Sequence, residues 1–305
     1  MPDLNFRPIE LSDKNLILRY AYETECRNCD LNFLNLLSWQ FLYHTEFAEY
    51  ADTLLFRFRS VDGPMAYLVP VGNGDWQKPL EAMMQDAAAD QRPFLLKGVC
   101  ENSLKRLTDL CPDCFQAVSD RDYSDYLYLR SSLASLAGKK LQPKRNMTNR
   151  FEKNHPDYEY LPLTTALLEE CRQLYAEWSH RRDSLESSET LTYEQMSISF
   201  VLDHWNELGA MGGVLRTEGK IVAFTYGHPI NYDTFGVCVE KADTEVDGAY
   251  AMINREFVRR IPEKYIYVNR EEDLGIDGLR RAKMAYQPEQ ILQKFTVRLL
   301  SQISC

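Results

Sequence analysis

Three short apolar runs, Gly213–Arg216, Ile221–His228 and Thr234–Val239, follow one another with only Glu218-Gly219-Lys220 and Asn231-Tyr232-Asp233 at the turns between them. Runs of this length, rich in β-branched and aromatic residues and bounded by turn formers, read as strands. Connections this short join antiparallel neighbours, so the segment is a meander. Thr244-Glu245-Val246-Asp247 then has the form of a capping segment for a helix from Gly248 to about Arg260, with Tyr250, Ile253, Phe257 and Ile261 as its buried stripe and Pro262 as its stop. Tyr265–Val268 is the next expected strand. Sheet, helix and sheet in this order predict a mixed α/β layer.

The earlier part of the chain follows a similar plan. Leu31–Leu42 places Leu34, Leu37, Phe41 and Leu42 near helical spacing. Thr53–Phe58 and Met65–Val71 read as a hairpin turning at Asp62-Gly63-Pro64. A helix opening near Pro79, with Leu80, Met83, Met84 and Ala87 on one face, precedes a strand at Phe94–Val99, a helix at Ser103–Leu110 and a strand at Tyr126–Leu129. Thr165–Trp178 is amphipathic through Leu167, Leu168, Cys171, Leu174, Tyr175 and Trp178. Thr192-Tyr193-Glu194-Gln195 has the form of a capping box opening a helix toward Trp205, and Ile291–Leu300 is a final strand-like run. The recurrence is architectural, with no residue-level repeat. A length of 305 residues suits two domains, divided here as residues 1–145 and 146–305.

Hydrophobic residues make up 45% of the chain, enough for a large core and against disorder. No run has the roughly 18–20 apolar residues of a membrane span. Met1-Pro2-Asp3-Leu4-Asn5 lacks the basic start of a signal peptide, so a cytoplasmic location is expected. A net charge of −10 opposes broad binding to nucleic acid or anionic lipid. Eight cysteines in such a chain read as free thiols. The pairs Cys26/Cys29 and Cys111/Cys114 have zinc-ligand spacing, but the 81 residues between them are far from the usual ribbon spacing. No metal and no permanently bound cofactor is expected. Phosphate-loop, zinc-protease, nucleophile-elbow and dinucleotide motifs are absent, and the five histidines have no ligand spacing.

Two stretches are more specific. Residues 125–154 read DYLYLRSSLASLAGKKLQPKRNMTNRFEKN, and VEKADTEVDGAYAMINREF (239–257) is followed by YVNREEDLGIDGLRRAK (267–283). Their order and content resemble the signature blocks of the family of the C-terminal domain of phosphatidylglycerol lysyltransferase, over roughly residues 125–300. The resemblance implies two GNAT-like acyltransferase domains in tandem. It implies acyl or aminoacyl transfer to an amine or hydroxyl, with aminoacyl-tRNA or acyl-CoA as co-substrate and a small molecule or lipid headgroup as acceptor. A non-catalytic ligand-binding protein on the same fold is the alternative.

In such folds a splayed strand and the following helix N-terminus hold the donor. Here that place is Val237–Glu240 running into Thr244–Gly248, where only Gly248 fits the CoA fingerprint and Glu245 and Asp247 oppose a pyrophosphate. Glu240 is a candidate base or anchor, and Tyr250 and Asn254 are candidate substrate contacts. The densest polar group is Asn269, Arg270, Glu271, Glu272 and Asp273, followed by Arg280, Arg281 and Lys283. Its acids suit a cationic amino group, and its bases suit a phosphate or carboxylate. Asn269, Glu271 and Asp273 are the catalytic candidates, with Glu272, Arg280 and Lys283 as substrate contacts. Lys139, Lys140, Lys144 and Arg145 begin a basic segment that suits the phosphates of tRNA or lipid. It suits a solvated helix equally well.

Overall fold

The computed structural model describes residues 4–59, 63–182 and 188–300. Two seven-stranded mixed sheets form its frame. The strands are β1 (Arg7–Pro8), β2 (Glu46–Tyr50), β3 (Thr53–Arg59), β4 (Met65–Tyr67), β5 (Leu95–Val99), β6 (Phe115–Ser119), β7 (Asp125–Leu129), β8 (Glu159–Pro162), β9 (Met211–Thr217), β10 (Lys220–Pro229), β11 (Thr234–Ala242), β12 (Tyr267–Asn269), β13 (Gln290–Leu292) and β14 (Phe295–Leu299). The first sheet runs β1-β2-β3-β4-β5-β14-β6 and the second β13-β7-β12-β11-β10-β9-β8. Neighbours are antiparallel except β4/β5 and β11/β12, which are parallel.

The two sheets exchange strands. β7 belongs to the second sheet, where it lies between β12 and β13, and β14 returns to the first, between β5 and β6. The Ile291–Leu300 run is therefore two strands in different sheets, broken at Gln293 and Lys294. The largest apolar cluster joins Ile9–Val71 side chains such as Phe33, Leu37 and Phe56 to Leu163, Trp178, Val201 and Phe224. The halves thus share one core, and burying apolar surface at about 25 cal/mol per Å² holds them together.

The expected meander is present as β9, β10 and β11. β10 lies in mid-sheet and is buried along nearly its whole length. At its bulge a Cβ on Gly227 would sit 2.0 Å from the Gly236 carbonyl oxygen, so only glycine fits there. The helix Ala249–Arg260 covers this sheet with eight consecutive buried residues from Ala251 to Val258, Met252, Ile253 and Phe257 among them.

Four local expectations change. The helix at 249–260 is capped by Gly248 in a left-handed conformation (φ 86°) with no side-chain cap, while Asp243 accepts from the Glu245 N–H. Thr192–Gln195 lies inside the helix Ser188–Asp203 and does not open one. The Leu31–Leu42 helix is two pieces, Phe33–Ser38 and Gln40–Tyr43, with Asn32 accepting from the Leu34 N–H at the start of the first. Cys111 and Cys114 are joined as a disulfide, because the turn after the helix Glu101–Leu110 brings their Cα atoms to 5.5 Å. Of the Asp62-Gly63-Pro64 turn, Asp62 lies outside the described residues. No helix among the described residues is long and apolar enough to cross a membrane.

Candidate active site

β11 and β12 pair through only three positions, Thr234–Gly236 with Tyr267–Asn269. Beyond them the strands separate. β11 continues to Ala242 against β10 alone, while the chain after β12 leaves the sheet through a loop with Glu271, Leu274 and Gly275 at φ 58°, 52° and 73°. Left-handed backbone costs an ordinary residue about 1–2 kcal/mol, so the loop needs bracing. Asn269 accepts from the Glu271 N–H at 2.6 Å and donates to the Arg27 carbonyl and to Asp125 at 2.7 and 2.8 Å. Asp273 accepts from the Gly275 N–H at 2.9 Å.

Two side-chain pairs meet across the gap. Arg270 Nη2 donates to Glu240 Oε1 at 2.8 Å, and Asn254 Nδ2 donates to Glu240 Oε2 at 2.9 Å. The Arg270 guanidinium lies between Tyr286 and Tyr128, 4.7 and 5.7 Å from their ring centres. Lys144 Nζ lies 4.2 Å from the Tyr286 ring centre, and burial followed by the nearby Arg270 lowers its pKa. Arg270 Nη1 and Asn254 Oδ1 are buried without a partner among the described residues. One unused donor and one unused acceptor therefore flank a single carboxylate.

In the second pair, Glu271 stands near Cys238 of β11, whose thiol is raised by burial and then by Glu271. Glu271 also accepts from Asn35 at 2.8 Å. Burial pushes the Glu271 carboxyl up to about 8, against the pull of Asn35 and Lys283. Burial likewise pushes Glu272 up to about 7, against the nearby Lys294. Lys283 is pulled down to about 8 by burial, and its ammonium donates to the carbonyls of Arg270 (2.5 Å) and Glu272.

Cys29, Asp30 and Glu272 bring possible ligand atoms within 4.8 Å of one another. The Lys294 ammonium already stands among them, 3.0 Å from Asp30 and from Asp125 and in contact with Glu272. Burial and Asp125 raise the Cys29 thiol well above its usual range, which makes it a poor ligand. The group supplies its own cation.

Asp273 is fully enclosed. It accepts from Tyr126 at 2.5 Å, from Arg280 through two bonds of 2.8 Å and from Arg121 at 3.2 Å. Despite burial, Arg280 and Tyr126 hold its carboxyl far below the usual range. It braces the loop from beneath.

The fold thus gathers Glu240, Asn254, Asn269, Glu271, Glu272, Asp273, Arg280 and Lys283 around one gap, with Lys144 at its side. Gly248 lies apart. A Cβ there would meet the Met147 carbonyl oxygen at 2.6 Å, because the helix Gln142–Asn154 covers this helix start. Tyr250 accepts a hydrogen bond from Trp178 at 2.8 Å. Arg145 turns back to the Leu136 carbonyl at 2.6 Å, and Lys139 and Lys140 are exposed. Sequence reasoning missed Asn35, Asp125, Tyr128, Tyr286 and Lys294. Asp125 and Tyr286 lie within or beside the signature blocks; Asn35 and Lys294 carry no local signal.

Two mixed sheets, with a parallel strand pair that diverges beside a helix, define a mixed α/β fold. The chain belongs to the family described as phosphatidylglycerol lysyltransferase, C-terminal, which matches residues 23–298. A conserved protein of unknown function from Bacteroides thetaiotaomicron is 49% identical, with a TM-score of 0.94 over 97% of this chain and 100% of that one. L-PGS from Bacillus licheniformis shares the fold at 17% identity, with a TM-score of 0.65 over 96% of this chain and 93% of its own. An uncharacterised protein of Mycoplasmoides gallisepticum is 22% identical over 180 residues, which is 58% of this chain and 56% of that protein.

Proposed function

We propose that the chain is an acyl- or aminoacyl-transferase that moves its group to an amine or hydroxyl held in the gap between β11 and β12. The carrying observation is the pair of unpartnered buried atoms, Arg270 Nη1 and Asn254 Oδ1, set about Glu240 where the strands part. Acyl transfer needs a donor for the developing oxyanion and a base for the acceptor's proton. Arg270 Nη1 suits the first task and Asn254 Oδ1 suits a donor group on the substrate. Glu271, with its proton affinity raised by burial, suits the second. The acceptor attacks the acyl carbon as its proton passes to the ionised Glu271; the bond to the carrier then breaks, and the carrier's oxygen or sulfur takes up that proton. Asn269, Asp273 and Lys283 act as positioning residues that hold the loop.

Glu245 and Asp247 beside the covered Gly248 disfavour a CoA pyrophosphate there. That supports an aminoacyl ester, carried by tRNA, over acyl-CoA as donor. The exposed Lys139 and Lys140 suit contact with its phosphates. The location is expected to be cytoplasmic. Transfer of label from aminoacyl-tRNAs and acyl-CoAs to amines, lipids and peptides tests the reading. Arg270→Lys and Glu271→Gln are each expected to slow transfer about 100-fold without unfolding the chain. No transfer from any donor would refute it.

The ion pair that closes the gap favours a second reading, a ligand-binding protein without turnover. Ligand-induced thermal stabilisation with no product formed is its signature.

A further inference from the structure

Away from the gap, Cys100 precedes the ten-residue helix Glu101–Leu110 at its N-cap, where the free backbone N–H groups favour a thiolate. Its Sγ lies 3.1 Å from the Ser103 hydroxyl. The buried Cys26 thiol lies close enough to the Cys100 thiol for each to shift the other's proton affinity. Both cysteines are free thiols in the structure. Cys26 and then Ser103 lower the Cys100 pKa, whereas Cys26 itself is held as the neutral thiol.

A cleft of about 70 Å³ opens at this point, lined by Arg27, Asn28, Cys100, Asn102 and Gln290 among others. Asn28 is 1% exposed, and its Oδ1 has no partner among the described residues. The cleft therefore pairs a sulfur nucleophile with a buried acceptor that a small hydrogen-bond donor would satisfy. The cleft has room for a molecule as small as hydrogen peroxide.

The geometry points to Cys100 and Cys26 as a peroxide-reactive thiol pair, with hydrogen peroxide as the ligand of this cleft. The Cys100 thiolate attacks one oxygen of hydrogen peroxide. The O–O bond breaks, one water leaves after taking up a proton, and Cys100 becomes a sulfenic acid. The Cys26 sulfur then attacks the Cys100 sulfur, the S–O bond breaks, and a second water leaves with the Cys26 proton. Two thiols are oxidised to one disulfide, and one peroxide is reduced to two waters.

The pair adjoins the candidate active site. Arg27 supplies a carbonyl to Asn269, Cys29 donates its N–H to Asp125 at 2.7 Å, and Asp30 binds Lys294. A Cys26–Cys100 bond ties this segment to the helix Glu101–Leu110. The inference does not depend on the proposed transferase activity.

The test treats the full chain with one equivalent of hydrogen peroxide, followed by iodoacetamide and peptide mass spectrometry. A Cys26–Cys100 cross-linked peptide is expected. In Cys26→Ser, a dimedone adduct at Cys100 is expected in its place. Recovery of alkylated Cys100 after the peroxide is consumed, or a sulfenic acid formed only elsewhere, overturns the inference. Unmodified protein provides a check independent of variant folding. Iodoacetamide is expected to alkylate Cys100 at least about tenfold faster than the buried Cys171, since only the thiolate reacts and burial disfavours it. Equal rates overturn the inference as well.

Discussion

The Arg270 guanidinium and the Glu240 carboxylate meet at 2.8 Å across the one place where two parallel strands of the second sheet part company. Both side chains are about nine-tenths buried, at 11% and 10% exposure. Each therefore depends on the other for charge compensation. Glu240→Gln leaves the Arg270 cation buried beside a neutral amide. A loss of about 3–5 kcal/mol in unfolding free energy is expected, read by urea denaturation at pH 7. Replacing both residues with methionine is expected to recover most of that loss, since apolar packing of similar volume substitutes well for a buried pair. A double variant as unstable as the single would contradict this account.

Glu271 gives stability a pH dependence of definite sign. Its folded proton affinity is raised to about 8, while an unfolded glutamate titrates near 4.3. Between these values the folded state binds a proton that the unfolded state has lost. Stability therefore falls as pH rises from about 5 to 8, by at most about 1.4 kcal/mol per unit for one group. Glu272, raised to about 7, acts in the same direction. Glu271→Gln is expected to flatten this slope in urea titrations at pH 5, 6.5 and 8. An unchanged slope would place the titration elsewhere.

The sequence made the second sheet legible because its turns and apolar runs are local signals. The strand exchange was not legible. Ile291–Leu300 reads as one run, and nothing nearby says that Lys294 must turn inward to reach acids 264, 169 and 22 residues away. Glu271–Asp273 stood out as a polar cluster, but their roles differ through distant partners. Glu271 meets Asn35 in a buried place, whereas Asp273 meets Tyr126 and Arg280 and stays ionised. Thr192 misled because a capping-box pattern also occurs inside a helix, where its residues make other contacts.

Lys294 is 5% exposed in its side chain and serves three carboxylates from three parts of the chain. Lys294→Met leaves Asp30, Asp125 and Glu272 facing one another without a cation. A loss of about 3–5 kcal/mol is expected by the same reasoning as for any broken buried ion group. The variant should lose most of this penalty as pH falls toward 5, where protonation relieves the repulsion. A penalty that is constant with pH would assign the effect to packing alone.

Asp273 behaves in the opposite sense to Glu271. Its folded pKa is depressed, so its contribution is present above the unfolded value near 3.9 and is lost as pH falls through the folded value. Asp273→Asn is expected to destabilise by about 3 kcal/mol at pH 7, with the difference shrinking below pH 4. Urea unfolding of both proteins at pH 3 and 7 checks the sign.

Gly248 and Gly138 separate backbone strain from steric contact. Both adopt φ 86°, a region that costs an L-residue about 1–2 kcal/mol. A Cβ on Gly138 meets nothing within 4 Å, whereas one on Gly248 meets the Met147 carbonyl oxygen at 2.6 Å and the Phe151 Cβ at 3.1 Å. Gly138→Ala is therefore expected to cost only the backbone term. Gly248→Ala carries an added clash against fixed main chain, and the pair should differ by about 1–3 kcal/mol in thermal or urea unfolding. Equal costs would mean that the helix Gln142–Asn154 can move off the start of the helix Ala249–Arg260. That start would then be open to a donor phosphate, and acyl-CoA would regain its place as a candidate for this site.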